Sequence, residues 1–126
     1  MFEQAASFTG EGLEDWDVSQ ATLMYSMFDR SAFRTDISKW NVGNCVDFDS
    51  MFSSTDFDID ISSWNIAKAQ YMSSMFRDTP FNQNLCEWSE VIPRDVETSD
   101  MFSDSACMIT TDPQAGMGPW CQTCVP

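Results

Sequence analysis

The sequence has 126 residues and a formal net charge of −14, from 6 Lys and Arg against 20 Asp and Glu, and it contains no histidine. This charge disfavours binding to nucleic-acid phosphate or anionic lipid, because both require clustered Lys and Arg. The lack of histidine excludes Ser-His-Asp and Cys-His catalytic arrangements and imidazole zinc ligands. Disorder is disfavoured as well, since 43% of the residues are hydrophobic and 13% are aromatic.

The opening residues carry no recognisable targeting signal. Met1–Gly10 lack the basic start and the apolar stretch of a signal peptide. There is no run of apolar residues long enough to span a bilayer, so we expect no direct membrane insertion. The pair Met1-Phe2 matches the Met-Phe pairs found later in the chain, and we interpret it as the tail of an earlier repeat.

A repeat of 24 residues runs along most of the chain. Tryptophans, Met-Phe pairs and Leu or Ile residues all keep this period, which indicates a repeat architecture. A unit of this kind buries its apolar face against its neighbours rather than alone. The predicted repeat core consists of Trp16, Trp40, Trp64, Trp88, Met27, Phe28, Met51, Phe52, Met75, Phe76, Ile37, Ile61 and Leu85.

Two patterns alternate within each copy. Residues 55–64 alternate apolar side chains with aspartates, a period of two that predicts a short strand. Residues 69–76 then place apolar side chains at spacings of 3, 3 and 1, which is typical of a short helix or turn. We therefore predict an α/β fold, a leucine-rich-repeat-like solenoid of about four coils, each with a short parallel strand and a short helix or turn.

The solenoid is predicted to occupy residues 1–92, followed by a C-terminal cap at 93–126. The coils are predicted at about 1–28, 29–52, 53–76 and 77–102, with the last one merging into the cap. The period lengthens by two residues between Trp88 and Phe102 and then stops. Terminal repeats are atypical in this way because they must cover an open end of the core.

Residues outside the apolar columns are the candidates for contact with a partner. Repeat proteins commonly bind through extended surfaces, and aromatic side chains anchor many interfaces. The predicted contact residues are Asp15, Asp17, Lys39, Asn41, Ser63, Asn65, Glu87, Tyr25, Tyr71 and Trp120.

Several segments resemble a known family. Trp16-Asp17-Val18-Ser19 and Asp36-Ile37-Ser38-Lys39-Trp40-Asn41-Val42, with the Met-Phe pairs, resemble the BspA-like leucine-rich-repeat surface proteins, a group that includes the mycoplasma-lipoprotein-type repeat of unknown function. Leu85-Cys86-Glu87-Trp88 and Gly118-Pro119-Trp120-Cys121 resemble the closing module of the algal and diatom members. The resemblance spans roughly residues 13–124 and implies adhesion or protein binding at a cell surface.

Four of the five cysteines, Cys86, Cys107, Cys121 and Cys124, lie in or next to the predicted cap. They predict a disulfide-bonded cap and an oxidising, extracellular or cell-surface compartment. We favour Cys86–Cys107 with Cys121–Cys124, while Cys107–Cys121 competes, and the sequence cannot choose among the three possible pairings. A redox CxxC lacks its strand and helix context here, and a Cys₄ zinc site would need paired CxxC motifs. The fifth, Cys45, is predicted to be a buried, inert replacement for alanine.

Acidic residues concentrate around one coil. The spacing of Asp56, Asp58 and Asp60 begins like a calcium loop, but Ile61 and Ala67 stand where that motif needs Gly and Glu, which excludes an EF-hand. Weak Ca²⁺ binding stays an alternative to a solvated acidic edge. The weak candidates are Asp47, Asp49, Asp56, Asp58 and Asp60.

These observations favour a non-enzymatic extracellular or cell-surface module that mediates protein–protein interaction or adhesion, without a cofactor. One alternative is a structural subunit or segment of a filament, formed by self-assembly through an unpaired edge of the first coil. A second alternative is an acidic matrix protein that binds divalent cations. A glycosidase gains no support from the many Asp pairs, because a small solenoid offers no deep cleft between two carboxylates.

Overall fold

The backbone is largely irregular. The computed structural model describes residues 2–124, so the predictions that fall on Met1, Val125 and Pro126 lie outside the described residues. Within residues 2–124 there are two short 3₁₀ helices, at Leu13–Asp15 and Cys86–Glu90, and only isolated β-bridges in place of extended strands. The prediction of an α/β leucine-rich-repeat solenoid is therefore wrong, since the described chain has neither a sheet nor an α-helix.

Successive copies of the repeat nevertheless lie against one another. Parallel bridges join Leu23 to Asp47, Asp47 to Tyr71 and Tyr71 to Glu97. At each of these three steps, four alternate N–H groups of one copy donate to carbonyl groups of the next, beginning with Met24 to Asp47 at 2.8 Å. We call this set of contacts between copies the ladder. It joins neighbouring copies through the backbone without forming a continuous sheet.

The segment predicted to be a short helix or turn is a chain of tight turns. Ser26 and Arg30 have φ angles of 53° and 61°, and left-handed residues interrupt an α-helix. The N–H groups of residues 27, 29 and 31 therefore close local turns, while those of residues 26, 28 and 30 reach the next copy. The same left-handed positions recur in the later copies, at Ser50, Ser54, Ser74, Asp78, Asp100 and Asp104.

The segment predicted to be a strand makes no ladder of its own. Phe57 and Ile61 are buried and Asp58 is exposed, so the predicted alternation of burial is present. Between copies, however, it is the Asp58 carboxylate that accepts the backbone N–H of Asn82, at 2.9 Å. The alternation of apolar and polar residues shows which side chains face the core. It does not show which hydrogen bonds the backbone makes. The ladder lies instead in the segment predicted to be a short helix or turn.

Stacked phenylalanines form the centre of the core. The rings of Phe28, Phe52, Phe76 and Phe102 follow one another at centroid distances of 6.0, 5.7 and 5.8 Å. Most of the predicted core residues are buried, namely Trp40, Trp64, Trp88, Phe28, Met51, Phe52, Met75, Phe76, Ile37, Ile61 and Leu85. Met27 is only half-buried. Trp16 is 45% exposed, so its assignment to the core is wrong.

Tryptophan side chains tie neighbouring copies together. The indole N–H of Trp40 donates to the carbonyl of Leu13 at 2.9 Å, and that of Trp64 donates to Ile37 at 3.1 Å. Trp88 lies in the 3₁₀ helix, and its buried indole N–H has no acceptor within residues 2–124. Its ring instead meets Trp120 edge-on, at 6.4 Å between centroids. Trp88 therefore belongs to the packing of the C-terminal part.

Residues 106–124, which we call the closing segment, cover the last copy. Disulfides join Cys86 to Cys124 and Cys107 to Cys121. The favoured pairing of Cys86 with Cys107 is therefore wrong, and so is that of Cys121 with Cys124, whereas the competing Cys107–Cys121 bond is present. The chain turns back on itself here, with the N–H of Ile109 donating to the Cys121 carbonyl at 3.0 Å. That reversal decides the pairing. The predicted boundary between the repeats and the C-terminal cap, at residue 92, stays a prediction.

Trp120 fills the centre of the closing segment. It is fully buried, so its prediction as an exposed contact residue is wrong. Its indole N–H donates to the carbonyls of Gln114 and Met117, at 3.0 and 3.1 Å, and its own carbonyl accepts from Leu85 at 3.3 Å. The side chain therefore holds the closing segment together and fastens it to the last copy.

Candidate functional site

The first copy exposes apolar side chains beside acidic ones. Trp16, Leu23 and Tyr25 are 45%, 61% and 58% exposed. Together with Glu3 and Asp17 they line a recess of about 570 Å³. We call the surface formed by these five residues the open end. It is the candidate functional site of the molecule.

The exposure of Trp16 follows from its position in the repeat. Trp40 and Trp64 each donate an indole hydrogen bond to a carbonyl 27 residues earlier, in the preceding copy. Trp16 has no such copy beside it among the described residues, and its ring only meets Phe2, at 6.1 Å between centroids. Within residues 2–124 its indole N–H donates no hydrogen bond, and it is suited to a carbonyl of another molecule.

Backbone groups of the open end are unpaired in the same way. The carbonyls of Asp47 and Asp49 accept N–H groups from the copy before them. Within residues 2–124, the equivalent carbonyls of Leu23 and Tyr25 accept no hydrogen bond, and the N–H of Thr22 has no acceptor. An unpaired backbone edge of this kind is a template for pairing with another chain.

The N-terminal residues continue the ladder only partway. The N–H of Phe2 donates to the Met27 carbonyl at 2.8 Å, and its ring stacks on Phe28 at 5.8 Å. Phe2 thus occupies the place that the sequence predicts for the tail of an earlier copy, while Met1 lies outside the described residues. This segment covers the turn after the edge and leaves residues 22–25 of the edge uncovered.

The surroundings of the open end are strongly acidic. Residues 1–29 contain no Lys or Arg, and their acidic residues are Glu3, Glu11, Glu14, Asp15, Asp17 and Asp29. The carboxylate of Asp17 accepts hydrogen bonds from the Ser19 hydroxyl and N–H, at 2.6 and 3.0 Å, which lowers the pKa of Asp17. Its negative charge is therefore secure at neutral pH, and the first cationic side chain of the sequence, Arg30, directly follows Asp29.

The other predicted contact residues are spread along the copies. The structure exposes Asp15, Lys39, Asn41, Ser63, Asn65 and Glu87. The side-chain oxygens of Asn41 and Asn65 accept the N–H of Gly43 and Ala67, at 3.0 and 3.1 Å, so this column closes turns within each copy. Tyr71 is 47% exposed and lies two bridges along from Leu23, so it offers a matched control for the open end.

The weak cation candidates already act as acceptors for the backbone. The carboxylate of Asp49 accepts the N–H of Ser73 at 2.7 Å, and that of Asp47 accepts the N–H of Asp49 at 3.0 Å. Burial raises the pKa of Asp49, which shows an environment that does not favour its charge. Within residues 2–124, no three Asp, Glu or Cys side chains come together to hold a metal ion. The prediction of weak Ca²⁺ binding at Asp47, Asp49, Asp56, Asp58 and Asp60 gains no support.

Cys45 is the one cysteine of the described chain outside a disulfide, and it is fully buried. Burial raises the pKa of its thiol to about 11. Because the thiolate is the reactive form of cysteine, Cys45 is unreactive at neutral pH. It takes no part in a candidate site.

Sequence reasoning identified Tyr25 and Asp17 but missed the open end as a unit. The period assigned every tryptophan the same environment, so Trp16 was expected in the core. Two signals point to the site: Trp16 is the first member of its column, and Leu23 is apolar where Asp47 and Glu97 stand in later copies.

The stacked copies and the closing segment define a protein built from a short repeat with distinct ends. Residues 1–112 match the family described as "Mycoplasma protein of unknown function, DUF285", and the chain belongs to this family. Neither the curated proteins nor the solved structures include a match to the chain. Within the described residues, no helix has the length and apolar character needed to cross a membrane.

Proposed function

We propose that the chain is a non-enzymatic, extracellular or cell-surface module that mediates protein–protein interaction or adhesion. The open end is the observation that carries this proposal. Trp16, Leu23 and Tyr25 are exposed together beside unpaired backbone groups. Apolar clusters with a polar rim are typical of protein-binding sites, and aromatic residues supply much of the binding energy there.

Two further features support a surface role. The pairs Cys86–Cys124 and Cys107–Cys121 are compatible with an extracellular protein, because structural disulfides persist in oxidising compartments. The resemblance to the BspA-like surface proteins implies adhesion or protein binding. Mapping the thiols of the protein from its native source tests this compartment. Four oxidised cysteines and a free Cys45 are expected, whereas five free thiols would contradict an extracellular location.

Selection of displayed peptides tests the binding function. We expect the immobilised chain to enrich peptides from a random library, with dissociation constants measured by calorimetry on the synthetic peptides. The double variant Leu23→Asn/Tyr25→Asn should weaken binding about tenfold or more, because it removes apolar anchors without touching the core. The control Tyr71→Asn changes an aromatic residue of the same ladder that is 47% exposed, and it should bind as the wild type does. A library that yields no binder, or binders that tolerate the double variant, would count against the proposal.

Self-assembly and cation binding stay alternative predictions. A head-to-tail stack would need a free edge at the last copy, where the N–H of Asp100 donates to the Asp112 carboxylate, while those of Thr98, Phe102 and Asp104 have no acceptor within residues 2–124. Cation binding would need carboxylates that are free to turn toward an ion, whereas Asp47, Asp49 and Asp58 already accept backbone N–H groups.

A further inference from the structure

We infer that a polar recess along the side of the stack binds a neutral oligosaccharide. The recess has a volume of about 590 Å³, and every residue that lines it is Ser, Asp or Arg. It shares no lining residue with the recess at the open end, so the inference goes beyond the proposed function and does not depend on it. We call it the side recess, and its residues include Asp29, Arg30, Ser53, Ser54, Arg77 and Asp78.

The ladder builds the side recess from successive copies. The N–H of Arg30 donates to the Ser53 carbonyl at 2.9 Å, and the N–H of Ser54 donates to the Arg77 carbonyl at 2.8 Å. Chains paired in this way lie about 4.8 Å apart, so equivalent side chains of neighbouring copies follow one another closely. Because Asp104 of the last copy also lines the recess, the recess runs along the whole stack. A further copy at either end would lengthen the recess and would not fill it.

Polar side chains of the side recess occupy left-handed backbone positions. Arg30, Ser54 and Asp78 stand at equivalent places in successive copies, with φ angles of 61°, 57° and 57°. Glycine adopts this conformation most readily, because the Cβ of any other L-residue comes close to a carbonyl oxygen. The chain instead carries a hydrogen-bonding side chain at each place. Such departures from local backbone preference concentrate at functional sites, and here all three side chains line one recess.

Hydrogen-bond donors and acceptors lie side by side in the side recess. The Ser54 hydroxyl donates to the Asp78 carboxylate at 3.1 Å and keeps its own lone pairs for a ligand. Arg30 and Arg77 are exposed, and within residues 2–124 neither guanidinium group makes a hydrogen bond or an ion pair. A sugar hydroxyl both donates and accepts, so neighbouring hydroxyls of one sugar can donate to a carboxylate and accept from a guanidinium group. An oligosaccharide therefore matches the mixed lining.

Charge and polarity disfavour the other classes of ligand. An anion would face the carboxylates of Asp29, Asp78 and Asp104 in a chain of net charge −14. A cation would face Arg30 and Arg77, and within the described residues no three Asp, Glu or Cys side chains come together to hold a metal ion. An apolar ligand would find no apolar wall to cover it. A neutral ligand rich in hydroxyl groups is the class that remains.

A panel of short linear oligosaccharides of equal length tests the class of ligand. The neutral members are chains of glucose, of mannose and of galactose, and the charged members are chains of galacturonate and of glucosamine. We expect at least one neutral chain to bind in calorimetry, and the charged chains to bind at least about tenfold more weakly. Binding of the neutral chain should be insensitive to added salt, because the ligand carries no charge for salt to screen.

The double variant Arg77→Ser/Asp78→Ser tests the location. It gives this copy the sequence that the preceding copy has at residues 53–54, so the fold should tolerate it, and the net charge stays at −14. It removes a guanidinium group and a carboxylate from the side recess, and the neutral chain should bind about tenfold or more weakly. The matched control Arg94→Ser/Asp95→Ser removes the same two groups from exposed positions outside the recess and should bind within about twofold of the wild type.

Amide resonances of the wild-type protein give a second readout, which needs no variant. The neutral chain should shift the resonances of Ser53 and Ser54 and leave that of Tyr25 in place. A panel without a neutral binder, a charged chain that binds most tightly, or equal binding by the recess variant and the wild type would overturn the inference. In each of these cases, displayed peptides that still require Leu23 and Tyr25 would leave the proposed function intact.

Discussion

The outermost phenylalanines at the two ends of the repeat stack have the same ring packing but differ in their exposure to solvent. Phe2 stacks on Phe28 at 5.8 Å, and Phe102 stacks on Phe76 at the same distance. Phe102 is fully buried, whereas Phe2 is only half-buried. The repeat thus provides the contacts between copies, but the cover of an end comes from residues outside the repeat. At the last copy the closing segment supplies that cover.

Backbone groups show this difference between the ends only in part. At the last copy the N–H of Asp100 donates to the Asp112 carboxylate at 2.9 Å, and the Thr98 hydroxyl donates to the Pro113 carbonyl at 2.7 Å. At the open end, the Leu23 carbonyl accepts no hydrogen bond within residues 2–124. The N–H groups of Thr98, Phe102 and Asp104, which correspond to ladder donors of the earlier copies, have no acceptor within residues 2–124, so the closing segment pairs only part of the last edge.

The largest effect is expected for a matched pair of ring deletions. Phe102→Ala should lower the free energy of unfolding by about 3–5 kcal/mol, because a fully enclosed ring leaves a cavity when it is removed. Phe2→Ala should cost about 1–2 kcal/mol, since a half-buried ring loses less apolar contact and water fills the space. Urea denaturation of both variants measures the difference. Equal losses would show that the closing segment does not protect the last copy more than the first.

Removing the disulfides should destabilise the closed end next most strongly. Replacing Cys107 and Cys121 by Ser together should cost about 3 kcal/mol, because the bond closes a loop that the unfolded chain would otherwise explore. The midpoint of urea unfolding, measured with and without reductant, checks this. Cys45→Ala is the control, because it removes a thiol but no disulfide, and the effect of reductant on it should match that on the wild type. A double variant as stable as the wild type would show that packing around Trp120 alone holds the segment.

Replacing single tryptophans should give a smaller difference in the free energy of unfolding between the middle of the stack and the open end. Trp64→Phe should cost about 1–3 kcal/mol, because it removes both a buried hydrogen bond to Ile37 and part of a buried ring. Trp16→Phe should change the free energy of unfolding by less than about 0.5 kcal/mol, since its indole is exposed and unpaired in the described chain. Thermal unfolding of the two variants at equal concentration decides this. A Trp16→Phe variant that loses as much as Trp64→Phe would break the contrast.

The smallest effect is a dependence of stability on pH. Burial raises the pKa of Asp29 and Asp49, so the folded state binds their protons more tightly than the unfolded state, and stability increases as pH falls from neutral. Hydrogen bonds from Ser19 and Ser38 lower the pKa of Asp17 and Asp36, and the stability that these two carboxylates contribute is lost as pH falls below their ordinary value of 3.8. The midpoint of thermal unfolding should therefore rise as the pH falls from 7 toward the raised pKa values of Asp29 and Asp49, and fall again in stronger acid.

Asp49→Asn provides the control for this pH dependence. The amide oxygen keeps an acceptor for the Ser73 N–H but no longer titrates. The variant should therefore be more stable than the wild type at pH 7 and show a smaller rise on acidification. A rise of the same size in both proteins would assign the effect to the overall negative charge rather than to the buried carboxylate.

Burial could be predicted from the sequence much better than backbone pairing. The period correctly places Phe52 and Trp64 in the core, because equivalent residues of stacked copies meet the same neighbours. Trp16 fails the rule, since the first member of a column has a neighbour on one side only. The ladder was expected in the alternating segment around Phe57 but lies around Asp47, where left-handed residues such as Ser50 turn alternate N–H groups toward the next copy. No pattern of hydrophobicity reports a backbone angle.

The spacing of apolar residues was sufficient to show the repeat, its length and most of its buried positions. The reason is that burial depends on the apolar side chains, which recur at equivalent positions in each copy. Tertiary structure alone decided which cysteines pair, since the return of the chain from Cys107 to Cys121 brings together residues that no local pattern relates. It also decided that Trp120 lies inside and Trp16 outside. Both outcomes depend on which segments pack against the first and last copies of the stack. That packing is a property of the folded molecule and cannot be seen in the sequence of any single repeat.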